Sequence, residues 1–103
     1  MEFIETSIFT KQVQEHLNDN EYKEFQKSLI INPAVGDLIR SSGGLRKVRW
    51  NLRASGKRGG IRVIYYWHNK DNLIFLLLMY RKNVKENLSP KEIKILKQLM
   101  ETF

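Results

Sequence analysis

The strongest constraint in this chain is the unbroken apolar run Leu73-Ile74-Phe75-Leu76-Leu77-Leu78-Met79-Tyr80. A run of this length suits a central strand of a sheet, buried on both faces, although periodicity alone leaves a helix open. It follows a tight turn at Asn69-Lys70-Asp71-Asn72, whose residue types favour chain reversal.

Two further strands precede that turn. Leu45 to Leu52 alternates in period two, with Val48, Trp50 and Leu52 on one face and Lys47, Arg49 and Asn51 on the other, the pattern of a half-buried strand with a basic face. The glycine-rich stretch Arg53-Ala54-Ser55-Gly56-Lys57-Arg58-Gly59-Gly60 then predicts a hairpin turn into a strand from Ile61 to Trp67.

The first third reads as a short strand, Phe3 to Ile8, then a helix through Val13 and Leu17 capped by Thr10. Asn18-Asp19-Asn20 breaks that helix and supplies N-cap side chains for a second, with apolar residues at Tyr22, Phe25, Leu29 and Ile30. Asn32-Pro33 ends the second helix, because the residue before proline is disfavoured in the α region, and Pro33 to Gly44 reads as a loop. Near the C-terminus, Ser89-Pro90-Lys91-Glu92 combines an N-cap serine, an N1 proline and a capping-box glutamate. The helix it starts presents Ile93, Leu96, Met100 and Phe103 to the sheet. The expected fold class is therefore α+β, a single domain over residues 1–103: an N-terminal strand and two helices, a three-stranded antiparallel meander, and a C-terminal helix packed on the sheet.

A chain of 103 residues, 42% hydrophobic and 28% charged, is sized and composed for one globular core. It holds no cysteine, so disulfides and thiolate metal sites are excluded, and a cytoplasmic setting is expected. Acids at Glu2 and Glu5 do not fit a signal peptide, and no apolar run approaches the roughly 20 residues that span a bilayer. No membrane association is expected.

The net charge of +7 is unevenly placed. Residues 1–37 hold seven acids and three bases, residues 38–70 nine bases and no acid, and residues 71–103 four acids and six bases. Such focusing points to a polyanionic partner. Lys47, Arg49, Lys57, Arg58 and Arg62 can converge near one end of the sheet, where a cation cluster binds phosphates. Tyr80 and Lys82, where the apolar strand emerges, alternate with Arg81 and can join the same cleft. His16 and His68 fall on different elements without companions, and no His/Asp/Glu spacing resembles a metal site.

The runs Gly43-Gly44-Leu45-Arg46-Lys47-Val48-Arg49, Gly56-Lys57-Arg58-Gly59-Gly60-Ile61-Arg62-Val63-Ile64-Tyr65-Tyr66 and Tyr80-Arg81-Lys82-Asn83, with Leu88-Ser89 following, resemble the RelE superfamily toxins, closest to the HigB branch. The resemblance covers essentially the whole chain. It implies a type II toxin that enters the ribosomal A site, cleaves messenger RNA there as an mRNA interferase, and is neutralised by a cognate antitoxin. It also implies that this antitoxin carries a helix-turn-helix, so that DNA is met only through it. By position, Lys47, Arg49, Lys57, Arg58, Arg62, Tyr80 and Lys82 match the family's basic and aromatic active-site positions; Arg62, Lys82, Tyr80, Lys47 and Arg49 are the expected catalytic residues, and Lys57, Arg58, Arg46 and Arg53 the expected contacts to RNA or the ribosome. Some members carry a His or Tyr near the C-terminus, whereas this chain ends Met100-Glu101-Thr102-Phe103, which leaves the proton donor open.

Metal-independent RNA cleavage, needing no cofactor, uses the 2′-OH against its own phosphate and leaves a cyclic phosphate and a 5′-OH. Arg62 is the expected transition-state clamp, since guanidinium presents a fixed donor fork. Lys47 or Lys82, crowded by like charges, serves as base or acid; Tyr80 either stacks on a base or donates its phenolic proton. The same features also fit a non-catalytic RNA- or ribosome-binding module with Trp50, Tyr66 or Trp67 as stacking platforms, or a basic face that docks an acidic protein.

Overall fold

The computed structural model describes residues 1–51, 60–85 and 87–103. Its elements are β1 (Glu2–Glu5), α1 (Ser7–His16), α2 (Asp19–Ile31), β2 (Asp37–Leu38), β3 (Leu45–Trp50), β4 (Ile61–His68), β5 (Leu73–Arg81) and α3 (Pro90–Glu101). They form one sheet in the order β1-β5-β4-β3-β2, with β1 parallel to β5 and the other pairs antiparallel. After β1 the chain crosses over through α1 and α2 to the far edge of the sheet, then returns as a meander.

This α+β arrangement covers the sheet on both sides. Phe9 and Val13 of α1 and Phe25 and Leu29 of α2 pack with Val48, Ile61, Val63, Tyr65, Ile74, Leu76 and Met79 on one face. Leu96 of α3, with Ile93 and Met100, packs with Leu45, Ile64, Phe75, Leu77 and Tyr80 on the other. The apolar run is thus a strand buried on both faces, as its composition requires. Phe103 is largely exposed, although its ring lies 4.7 Å from that of Phe75.

Helix entry follows local side-chain chemistry. Asn18 caps α2 in a reciprocal box with Glu21, and Ser89 caps α3 with Glu92, with Pro90 in the first turn. The first helix departs from expectation: it begins at Ser7 and its cap is Thr6, not Thr10. Thr6 does more than cap. Its hydroxyl accepts from the Phe9 N–H and donates to the Leu77 carbonyl at 2.9 Å, while Gln12 Oε1 accepts from the Met79 N–H at 2.8 Å. These contacts satisfy the outer edge of β5 beyond the point where pairing with β1 stops at Glu5 and Leu76.

The residues read as a loop from Pro33 to Gly44 contain β2, whose Asp37 and Leu38 pair with Lys47 and Arg46. Two residues carry too little pattern to announce a strand. The preceding turn is clamped: Tyr65 donates its hydroxyl to the Pro33 carbonyl and accepts from the Gly36 N–H, while Arg46 donates to the Ala34 and Gly36 carbonyls at 3.1 and 2.8 Å. A side chain at Gly36 would stand 2.8 Å from the Tyr65 ring, so glycine is required there.

β4 and β5 carry a register shift: Ile64 pairs with Leu78 but Tyr65 with Leu76. The extra residue is a β-bulge, and consecutive Leu77 and Leu78 both pack toward α3.

Leu77 is 1% exposed in this layer, so Leu77→Ala is expected to lower unfolding free energy by about 2–5 kcal/mol, read from the urea midpoint at unchanged slope. A second outcome concerns acid. The hydrogen bond from Lys85, then that from the Ser89 N–H, hold the Glu92 carboxyl below its ordinary value of 4.5. A depressed native pKa contributes stability that is fully present above that ordinary value and disappears as pH falls through the lowered one. Glu92→Gln should therefore be less stable than the parent at neutral pH, with the gap closing as pH falls from 4.5 through the lowered value, in thermal melts taken across the acid range.

Candidate active site

Antiparallel register brings three of the expected residues into one row across the sheet: Arg49 of β3 faces Arg62 of β4, which faces Tyr80 of β5. Directly opposed residues share a face, and Tyr80 packs in the layer under α3, so the row lies on the α3 side. Lys47 is on the same face two residues before Arg49, opposite Ile64. Lys82 stands exposed one residue beyond β5, its N–H directed to the Gly60 carbonyl at 3.5 Å.

Arg62 is only 2% exposed and Tyr80 9%. Arg49, directly across from Arg62 on β3, is exposed, so the row runs from a solvent-facing residue to buried ones. Arg62 is buried because the second residue of β4 has β3 and β5 on either side. Gly60, at φ +61°, brings the chain into β4 where a Cβ would lie 2.4 Å from Asn51 Oδ1 and 2.7 Å from the Trp50 carbonyl. Only glycine allows that approach, next to the row.

Arg46 stands apart from this group. Its register partner is Tyr65, in the layer facing α1 and α2, and its guanidinium holds the turn at Ala34 and Gly36. Period-two alternation separates it from Lys47 and Arg49, so its place in the fold is that of a tie between β3 and the segment after α2. Arg53, Lys57 and Arg58, and the glycine-rich turn that carries them, lie outside the described residues.

Three residues enter the site that charge patterning did not single out. Asp37 pairs with Lys47 across β2 and β3, so a carboxylate from outside the acid-free stretch joins its edge. Asn87 Oδ1 accepts a hydrogen bond from Lys47 Nζ at 2.7 Å. Arg40 lines a cleft of about 230 Å³ together with Lys47, Asn87, Leu88, Ile39 and Ile93. Separations of up to 40 residues gave no local signal for these meetings.

The histidines fall elsewhere. His68 ends β4 at the opposite end from Arg62, with Nδ1 3.4 Å from Asp71 Oδ2, and His16 Nδ1 lies 3.5 Å from Arg81 Nε on the α1 side. Among the described residues no three His, Asp or Glu side chains come together as a metal site, and no helix is long and apolar enough to cross a membrane. The aromatic platforms are engaged in packing: Trp50 meets Phe25 edge-on at 5.3 Å, Tyr66 lies against Phe75, and Trp67 packs on the α1/α2 layer.

The fold has close counterparts of known structure. The E. coli toxin RelE with two arginine-to-alanine substitutions, in the free state, superposes with a TM-score of 0.58 at 17% identity, over 82% of this chain and 85% of that one. The isolated E. coli RelE toxin gives 0.54 at 16% identity over 94% and 96%, and the intact E. coli RelBE toxin–antitoxin complex 0.53 at 17% over 77% and 93%. At such identities the superpositions establish a shared fold. Membership rests on sequence: the family model described as the RelE toxin of the RelE/RelB toxin–antitoxin system matches residues 6–103, a span that takes in every element after β1 and the whole cationic row. The chain belongs to the RelE toxin family.

Proposed function

We propose that this toxin is an endoribonuclease that cleaves messenger RNA in the ribosomal A site, without a metal, and is silenced by a cognate antitoxin. The observation that supports this reading above others is the row Arg49, Arg62 and Tyr80, with Lys47 beside it. It sets two guanidiniums, a phenol and an ammonium on one face of a rigid sheet.

The chemistry needs three services. The scissile phosphate gathers charge as the 2′-OH attacks, and Arg62, held between two strands, offers a preorganised donor fork for it. Arg49 adds a second guanidinium from the neighbouring strand. A proton must leave the 2′-oxygen, and another must reach the departing 5′-oxygen; Lys47, Lys82 and Tyr80 are the groups with exchangeable protons around the row. The products are a 2′,3′-cyclic phosphate and a 5′-OH. With no paired histidine in the row, orientation of the substrate carries much of the barrier, a contribution of about 7–11 kcal/mol in favourable cases. A ribosome that holds the messenger with its 2′-OH in line supplies that orientation. The intact RelBE complex among the structural counterparts supports an antitoxin partner of the same general kind, in which a helix-turn-helix would carry any contact with DNA.

The reading as a non-catalytic module is less well served, since Trp50, Tyr66 and Trp67 are each partly buried against the two packing layers. Primer extension on one messenger, with and without ribosomes stalled at a defined codon, tests the proposal. Cleavage is expected at the stalled codon and nearly none on free RNA; rapid cutting of free RNA at many positions would replace ribosome dependence with general ribonuclease action. Arg62→Ala should reduce single-turnover cleavage by about 10²–10³, the loss of one preorganised donor worth about 2.7–4 kcal/mol. Arg62→Lys, which keeps the charge and the buried stem but not the fork, should recover stability more than rate. Lys82→Ala, at an exposed position, should slow cleavage with an unchanged melting temperature, and retention of full activity by folded Arg62→Ala and Lys82→Ala proteins would refute the site.

A further inference from the structure

We propose that Gln12 of α1, together with Thr6 at the cap of that helix, is a positioning residue for the reaction: it holds the bulged part of β5 in the backbone arrangement that turns Tyr80 into the arginine row. The inference rests on the reading of the chain as an RNA-cleaving toxin. It adds to that site two residues of the opposite layer that touch no substrate.

In a regular strand, successive backbone carbonyls leave opposite edges. In β5 they do not. The Leu76 carbonyl accepts from the Thr6 N–H at 3.1 Å, and the next carbonyl, that of Leu77, accepts from the Thr6 hydroxyl at 2.9 Å. Two consecutive carbonyls thus turn to the same outer edge and are taken by one residue, at the point where the register with β4 shifts. Beyond it, the Met79 N–H donates to Gln12 Oε1 at 2.8 Å. With unbroken alternation from Leu76, the Leu77 carbonyl and the Met79 N–H would both face β4 instead. Thr6 Oγ1 and Gln12 Oε1 therefore bind a feature that exists only in the bulged strand.

These two bonds fix the peptide planes on either side of Leu78, and Tyr80 follows Met79 directly. With both planes held, Tyr80 lies opposite Arg62 and in the α3 layer. The helix is a firm mount for the Gln12 side chain, because Phe9 and Val13 anchor it in the core. Its spacing also matches the strand. Gln12 and His16, four residues apart, share one flank of α1, and they meet Met79 and Arg81, two residues apart in β5.

A backbone N–H can only donate, so the oxygen of the Gln12 amide has to face Met79. An apolar side chain at position 12 would leave that N–H, on a fully buried residue, without its acceptor. The strand relieves such a loss by rotating its peptides, and Tyr80 moves with them.

The test compares Gln12→Leu, which keeps the size but loses the acceptor, with Gln12→Glu, which keeps an acceptor oxygen. Both are assayed by single-turnover cleavage on ribosomes stalled at a defined codon, and by NMR of protein labelled at Tyr rings and Leu methyl groups. Gln12→Leu should lower the maximal cleavage rate by about 10²-fold, the effect of misplacing a group by about 1 Å, with the half-saturating ribosome concentration unchanged. Its cross-peaks from the Tyr80 ring to leucine methyl groups of the α3 layer should weaken, and its Met79 amide should exchange faster. Gln12→Glu should restore all three. Thr6→Ala against Thr6→Ser repeats the comparison at the neighbouring bond and carries the test if Gln12→Leu does not fold. A folded Gln12→Leu protein with the parent's rate and cross-peaks, or an equal loss in Gln12→Leu and Gln12→Glu, would overturn the assignment. Because the cross-peaks are read without cleavage, their selective loss in Gln12→Leu, in a protein that cuts no messenger, would sink the nuclease reading and leave the positioning of Tyr80 standing. A parent that cleaves, with cross-peaks unmoved in Gln12→Leu, would do the reverse.

Discussion

Everything in this fold is arranged around β5, a strand that is apolar on both faces and therefore needs a layer on each side. The crossover through α1 and α2 supplies one layer, and α3 supplies the other. Its remaining edge would still expose backbone donors and acceptors, and these are met in sequence by β1, by the Thr6 hydroxyl and by the Gln12 amide. The parallel pairing of β1 with β5 follows, because the chain must leave β1, cross the sheet and come back on the far side of the meander.

The same strand sets the chemistry of the site through one extra residue. From Leu76, which faces α1 and α2, strict alternation would return Tyr80 to that face. The bulge at Leu77–Leu78 shifts the parity, so that Tyr80 lies in register with Arg62 on the α3 side while Arg81 reaches toward His16 of α1. A packing irregularity thereby aligns a phenol with two guanidiniums. Arg62 is held buried between β3 and β5, which fixes the position of its side chain in the row.

Much of the architecture was legible because the signals were local. Asn18 and Glu21, or Ser89, Pro90 and Glu92, satisfy helix ends within one turn, and such boxes read directly from spacing. Thr10 misled because threonine is an acceptable cap in any context, whereas Thr6 was selected by its additional bond to Leu77 across the sheet. The same limit applies to Arg46. It was expected among the contacts to RNA or the ribosome, and its face of β3 turns it toward the carbonyls of Ala34 and Gly36.

The sequence by itself determined the α+β class, the meander, the two capped helices and the concentration of cations on the strands that carry the site, since each depends on residues within a turn or a strand of one another. Tertiary structure decided what depends on contacts between distant segments: the parallel first strand, the short β2, the bulge that turns Tyr80, and the meeting of Asp37 and Asn87 with Lys47. Alternation assigns a residue to a face, but the partner opposite it is chosen by register, and register is set only when all the layers pack together.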